Sequence, residues 1–309
     1  MVGDVGQAAR LRSLSRGRAL KTLAFIQRND QHHWVGDGFP VRSVFSYNDR
    51  AAELSPFLLL DYAGPADFAP TTERRGVGEH PHRGFETVTI VYEGEVEHRD
   101  SSGGGGVIGP GDVQWMTAGG GLVHEEYHGT GYAKRGGSFE MVQLWVNLPA
   151  QHKLTQPGYQ GITSAQIPGV ALPGAAGTVR VIAGEYRGTR GPARTFTPVN
   201  MWDVRLNAGN RATFTVPAGH TTVLFVLRGR LSLPYGGTVT DAEAAVLERA
   251  GDQFTVDAPE NTTLLVLNGE PLNEPVVGHG PFVMNTRAEI QQAIVDYQNG
   301  RMGRIASSR

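Results

Sequence analysis

Cysteine is absent from all 309 residues, so disulfides, zinc–thiolate centres and thiol nucleophiles are excluded. A chain without cysteine fits a reducing compartment, and a cytoplasmic protein is expected. No apolar run approaches the ~18 residues of a membrane span. Charge of either sign is not in excess: Lys and Arg number 28, Asp and Glu 30, for a formal charge of −2. That balance gives no reason to expect a nucleic-acid coat or electrostatic membrane binding. The G-x-S-x-G elbow of the usual esterases is missing. The glycines from Gly103 to Gly106 open no helix after a strand, which argues against a phosphate loop.

Glycine itself is abundant, at 42 residues, about twice the usual ~7%. Without a collagen period this reads as many tight turns. The turns separate short runs rich in β-branched and aromatic residues, such as Thr87-Val88-Thr89-Ile90-Val91-Tyr92 and Met141-Val142-Gln143-Leu144-Trp145-Val146. Regularly spaced short strands of this kind indicate a β-sandwich or barrel. A weak repeat doubles the unit. Thr87 to Val96 and Val223 to Leu233 each read as strand, turn, strand, and each precedes a Gly-Asp pair, Gly111-Asp112 and Gly251-Asp252. The length suits two domains of about 150 residues.

The resulting division is a basic, flexible extension over 1–24, a first barrel over 25–150, and a second over 151–309 that includes a Gly/Pro/Ala-rich linker. The extension carries Arg10, Arg12, Arg16, Arg18 and Lys21 against one acid, Asp4. It lacks the apolar core of about 7–15 residues that a secretory signal requires. Near the other end, Thr286 and Glu289 form a capping-box pattern. Ile290, Ile294 and Tyr297 follow at helical spacing and Gly300 ends the run, so a short terminal helix packed on a barrel is expected.

The histidines carry the chemistry. His80-Pro81-His82 places two imidazoles on one face of a strand. In His124-Glu125-Glu126, His124 and Glu126 share a face while Glu125 points away. Converging inside a barrel, three neutral imidazoles and a carboxylate suit Fe, Mn, Ni, Cu or Zn rather than the hard ions Ca and Mg. His80 begins a segment H-x-H-x3-E-x7-G, containing Glu86 and Gly94, close to the first motif of the cupin barrels. Gly111 through His124 resembles the second. Glu86, four residues from His82, is also expected on the inner face, and spacing alone does not separate Glu86 from Glu126 as fourth ligand. Inner-face candidates for the cavity are Phe57, Leu59 and one of Trp115 or Met116. His98 and His128 flank the region, His98 either lining the pocket or serving structure. In the second barrel His220 reads as a turn or surface residue, and His279 as a residue holding a Gly-rich loop by hydrogen bonds.

A closer likeness is carried by longer strings. His80-Pro81-His82-Arg83-Gly84-Phe85-Glu86-Thr87-Val88-Thr89 and Gly111-Asp112-Val113-Gln114-Trp115-Met116-Thr117-Ala118-Gly119, leading to His124-Glu125-Glu126, resemble the signature of the pirin family. So do Gln143-Leu144-Trp145-Val146-Asn147-Leu148-Pro149 and Gly278-His279-Gly280-Pro281-Phe282-Val283-Met284-Asn285. The resemblance implies an all-β fold of two tandem cupin (jelly-roll) barrels with a short C-terminal helix. It also implies one metal, in the first barrel, held by His80, His82, His124 and Glu126. Pirins typically hold iron, so Fe(II) is expected, with Mn, Ni, Cu and Zn as alternatives. Some pirins act as quercetin 2,3-dioxygenases. The implied function is therefore a metal-dependent dioxygenase acting on a flavonol-like aromatic or enediol substrate with O2, with Glu126 as proton acceptor. The other implied reading is a non-catalytic, redox-sensing iron protein that regulates transcription or metabolic enzymes through a protein partner. A monomer that touches neither nucleic acid nor membrane is expected.

Overall fold

The computed structural model describes residues 19–234 and 236–306. Most of the basic extension lies outside them. The first barrel is built from β1 to β12, less one exchanged strand. These are β1 (Leu23–Gln27), β2 (His33–Val35), β3 (Phe39–Ser46), β4 (Phe57–Phe68), β5 (Gly76–His82) and β6 (Phe85–Glu93). They continue with β7 (Val96–Asp100), β8 (Gly105–Ile108), β9 (Val113–Thr117), β10 (Leu122–His128), β11 (Gly137–Asn147) and β12 (Gly158–Ile162). A seven-stranded sheet in the order β12-β9-β6-β11-β4-β3-β2 faces a four-stranded sheet, β5-β10-β7-β8. The second barrel repeats the plan. Its large sheet runs β1, Glu243–Leu247, Thr221–Arg228, Thr262–Gly269, Val199–Leu206, Gly177–Ala183, Gly169–Ala171.

Placed side by side, the two orders show that β1 and β12 occupy the same edge position in opposite barrels. β1 pairs with Glu243–Leu247 of the second barrel, and β12 pairs with β9 of the first. The barrels therefore exchange edge strands across the division drawn at residues 25–150 and 151–309. The repeat noted in the sequence is physical: Gly94 and Gly229, and Gly111 and Gly251, all hold positive φ, at 87°, 95°, 85° and 86°. Such conformations strain any residue with a Cβ.

The end of the extension is docked, contrary to a flexible segment reaching residue 24. Leu20 bridges to Gln253. Lys21 is buried, and its ammonium donates to the carbonyls of His220, Glu248 and Arg249 at 3.1, 3.2 and 2.8 Å. Burial, with Arg249 nearby, lowers its pKa to about 8.

Strands in the centre of each large sheet are buried on both faces, as in Thr221–Arg228, where all but Arg228 are buried. One face builds a core between the barrels. Val88, Ile90, Trp115, Val142, Leu144, Leu60 and Tyr62 there meet Val223, Phe225, Leu265, Leu267 and Met201. The other face fills each barrel. The second barrel is packed with apolar groups, including Trp202, Phe214, Leu224, Val226, Phe254 and Leu264. The first is wholly apolar at one end, around Phe39, Val91, Val96, Phe139 and Met141, and mixes polar with apolar side chains toward the other.

The expected capping box forms only in half: the N-cap hydroxyl bonds as expected, but the Glu289 carboxylate reaches back to the residue before the N-cap. Thr286 Oγ1 accepts from Glu289 N at 3.2 Å, and the Glu289 carboxylate accepts from Asn285 N at 3.1 Å. The helix Arg287–Gln298 buries Ile290 and Ala293, while Tyr297 stays exposed. It packs against Val123 on the outside of β10, in the first barrel, although the chain reaches it from the second. Two further short helices, Tyr47–Leu54 and Thr130–Arg135, were not legible in the sequence. No helix among the described residues is long and apolar enough to cross a membrane.

Because one apolar core joins the barrels, they should unfold together. Phe225, whose ring meets Tyr62 edge-on at 5.4 Å, is its test. Phe225→Ala is expected to lower stability by about 3–5 kcal/mol in denaturant titration while leaving a single transition. Two separate transitions in the parent protein would show independent barrels.

Candidate metal centre

The two histidine pairs lie on neighbouring antiparallel strands. β10 pairs with β5 so that His124 faces His80, and His82 lies one step along the same face. Ring centroids are 4.2 Å apart for His80 and His124, 4.7 Å for His82 and His124, and 4.9 Å for His80 and His82. Ligand nitrogens of the three all lie within 4.8 Å of one another. His82 and His124 are buried and His80 is half-buried.

Hydrogen bonding leaves nitrogens free to face inward. His80 Nδ1 meets the Gly78 carbonyl at 2.8 Å, which leaves Nε2. His82 Nδ1 and His124 Nε2 are buried with no partner. Such orphans are costly unless something answers them. Burial, reinforced by the neighbouring imidazoles, holds the pKa of His82 and His124 well below the ordinary value, so both rings are neutral and their lone pairs are available. Clustered neutral imidazoles with a carboxylate nearby fit a divalent transition metal, and these residues could hold one.

Glu126 stands on the far side of His124. It forms a second group with His98 and His124, also within 4.8 Å, rather than joining His80 and His82 in one. Its Oε1 accepts from Gln114 Nε2 at 2.7 Å and its Oε2 from Gln143 Nε2 at 3.0 Å. The pairing of β5 with β10 shifts between His124 and Glu126, but the extra residue belongs to β5, since β10 stays in register with β7. Alternation along β10 therefore holds. Glu125 points outward, where Arg99 Nε donates at 2.9 Å and Arg74 lies at 3.5 Å.

Glu86 does not face the site, contrary to the inner-face expectation. The turn at Arg83-Gly84, with Gly84 at φ +91°, breaks the strand, so a four-residue spacing no longer preserves the face. Glu86 follows Val88 and Ile90 to the side between the barrels, where Thr117 Oγ1 donates to it at 2.7 Å. Phe57 likewise belongs to the core between the barrels. Leu59 packs with Trp145 and Phe85, and Trp145 lies 5.2 Å from His82. Of the adjacent pair, Met116 turns inward with Leu122 and Tyr159, and Trp115 turns outward.

His98 lines the centre: its Nδ1 is 3.2 Å from His124 Nδ1, and its Nε2 is 3.0 Å from Asp100 Oδ2. His128 is structural. It is packed among Phe39, Phe68 and Phe139 and bonded to the Gly38 carbonyl at 2.8 Å. His220 is partly buried beside a surface cavity, and His279 is exposed at the end of strand Val277–His279. Asp100, Gln114, Gln143 and Tyr159 were missed in the sequence. Period-two reading of β9 and β11 would have placed Gln114 with Met116 and Gln143 with Trp145, polar residues facing inward on otherwise apolar strands.

A bicupin whose first barrel gathers buried imidazoles while the second is filled with apolar side chains defines the class of protein. The chain belongs to the pirin family: the pirin family model matches residues 38–146, and that of the pirin C-terminal cupin domain matches 201–303. A Pseudomonas aeruginosa protein provisionally named a quercetin 2,3-dioxygenase is 57% identical over 91% of this chain and 98% of its own. Human pirin is 38% identical over 91% of this chain and 93% of its own. The crystal structure of a quercetin 2,3-dioxygenase from Acinetobacter baumannii superposes with a TM-score of 0.91, at 54% identity over 93% of this chain and all of that one.

Glu86 gives a test that separates the two carboxylates. Burial raises its pKa from 4.5 to about 7, and the Thr117 hydrogen bond opposes this only in part. The folded protein thus holds a proton that the unfolded chain releases, and the associated stability, full below pH 4.5, is lost as pH rises through 7. Glu86→Gln is expected to flatten that pH dependence and to raise stability above pH 7 by roughly 1–3 kcal/mol. Metal stoichiometry should not change. Loss of metal in Glu86→Gln would return Glu86 to the ligand set.

Proposed function

We propose that this protein is a metal-dependent dioxygenase that cleaves a flavonol-like substrate with O2, in the manner of a quercetin 2,3-dioxygenase. The observation that carries this reading is the pair of buried, unpartnered nitrogens, His82 Nδ1 and His124 Nε2, beside the half-buried His80. His80, His82 and His124 would hold the ion, with Glu126 as the fourth ligand. A redox-active divalent ion, Fe(II) in this reading, supplies Lewis acidity toward a substrate oxygen and a path for electrons to O2.

The chain's own residues do the rest. Glu126 accepts the proton of the substrate hydroxyl at a carboxylate oxygen. Gln114 and Gln143, each donating one amide hydrogen, aim that carboxylate at the cavity. Met116, Tyr159 and Trp145 supply apolar walls that exclude water around the reacting groups. The relatives that bear the quercetin dioxygenase name support the choice of substrate class.

Protein purified from its own host is expected to carry about one transition-metal ion per chain, lost in His80→Ala and His124→Ala with little change in fold, since the apolar cores stand without it. Full stoichiometry in either variant would sink the site. The iron-loaded protein should consume O2 when given a flavonol. Silence across a substrate panel, with redox-dependent binding of a protein partner, would favour the regulatory role instead.

The carboxylates on β10 should differ sharply. Glu126→Gln removes a ligand and its charge, and is expected to weaken metal binding or abolish turnover. Glu125→Gln removes a buried but outward-facing carboxylate held by Arg99 and Arg74, and should cost about 1–3 kcal/mol of stability with metal and turnover intact. Equal loss in both variants would overturn the assignment.

A further inference from the structure

His98 and Asp100 lie on β7, on the same face and directly across from Glu126 and His124. Both are buried, at 0% and 4% exposure, and the proposed reaction uses neither. We propose that Asp100 and His98 form a hydrogen-bonded relay that sets the tautomer of His124, so that His124 presents its Nε2 lone pair to the metal. The proposal rests on the metal centre described above and adds positioning residues to it.

The geometry permits one arrangement of protons that leaves Nε2 free. Asp100 is tied at both oxygens: Oδ1 accepts from Ser102 N, Ser102 Oγ and Gly104 N at 2.8, 2.6 and 3.0 Å, and Oδ2 faces His98 Nε2 at 3.0 Å. Burial raises the Asp100 pKa, but the bonds from His98 and Ser102, with that from Gly104, outweigh it and hold it at about 2. An ionised carboxylate accepts only, so the proton of this bond sits on His98 Nε2. His98 Nδ1 faces His124 Nδ1 at 3.2 Å, and two facing nitrogens share one proton. With its Nε2 donating to Asp100, His98 Nδ1 acts as the acceptor of this pair, so the shared proton sits on His124 Nδ1 and His124 Nε2 carries a lone pair. Gln114 Nε2, at 3.4 Å from His98 Nδ1, is committed more closely to Glu126 at 2.7 Å.

The rings cannot turn easily. Tyr159 stacks on His98 with centroids 5.1 Å apart and planes 14° apart. Tyr159 is seated against the glycine run, where a Cβ on Gly104 would come within 2.6 Å of its own Cβ. The glycines that form no phosphate loop thus make room for the ring that holds His98. Imidazole ligands elsewhere are commonly oriented by a carboxylate on the second nitrogen; here a second imidazole stands between.

The test reads metal affinity and tautomer directly. In metal-free parent protein, ring 15N shifts should show His124 protonated at Nδ1. Co(II) affinity, by competition with a chelator, should fall about 10–100-fold in His98→Leu, with a changed ligand-field absorption. His98→Asn keeps an acceptor near the Nδ1 position and should restore affinity to within about threefold of the parent. Asp100→Asn should shift His124 toward the Nε2-protonated form and weaken Co(II), whereas Ser102→Ala, which loosens only the loop side of Asp100, should do neither. An Nε2-protonated His124 in the parent, unchanged affinity in His98→Leu, or an Asn variant as weak as the Leu variant would overturn the relay. Should His98→Leu fail to fold, the parent tautomer and Asp100→Asn decide. Failure of the parent to bind Co(II) would sink the metal centre, while the 15N measurement still judges the relay.

Discussion

Everything around the centre depends on strands that are buried on both faces. β6, β9 and β11 lie between the second barrel on one side and the imidazoles on the other. Alternation along each strand then sorts two chemistries. Val88, Ile90, Trp115, Val142 and Leu144 go to the apolar core, and Thr89, Gln114, Met116 and Gln143 go to the site. A polar side chain on the wrong face would be buried without partners, at a cost of about 1–3 kcal/mol. Polar groups on the core side do occur, with partners: Glu140 is paired there with Tyr62 and Arg228, and Glu86 with Thr117, its other oxygen left unpartnered.

The second barrel and the terminal segment hold that arrangement closed. The chain returns to the first barrel after the second is complete, and Arg83 pairs with Phe282 beside the histidine strand. Arg83 also bonds Asp296 of the terminal helix at 2.9 Å, a largely buried pair. Lys153 fastens the same corner, donating to Gly84 O, Val283 O and Asn147 Oδ1 at 2.8, 2.8 and 2.7 Å. Gly84 must be glycine there, because a Cβ would sit 2.0 Å from Val283 O. The turn that ends the His80-Pro81-His82 segment is thus shaped by residues some 200 positions away in sequence.

Exchange of edge strands binds the halves further. β1 completes the second barrel and β12 the first, so neither sheet is whole without chain from beyond its own boundary. Lys21 anchors the incoming strand at three carbonyls.

Period-two spacing and glycine placement determined much of this protein from its sequence alone. They set the paired β units, the turns at Gly94, Gly111, Gly229 and Gly251, and the shared face of His80 with His82 and of His124 with Glu126. Local capping chemistry also determined the start of the terminal helix. Alternation is a property of the backbone and needs no partner to be read. Tertiary structure decided where alternation stops and which strands meet. The turn at Gly84 sent Glu86 away from the imidazoles, and cross-strand register set His98 and Asp100 beside Glu126 and His124. Long-range pairing gave β1 to the far barrel and the helix to the near one. These follow from contacts between residues distant in the chain, whose energies no local spacing records.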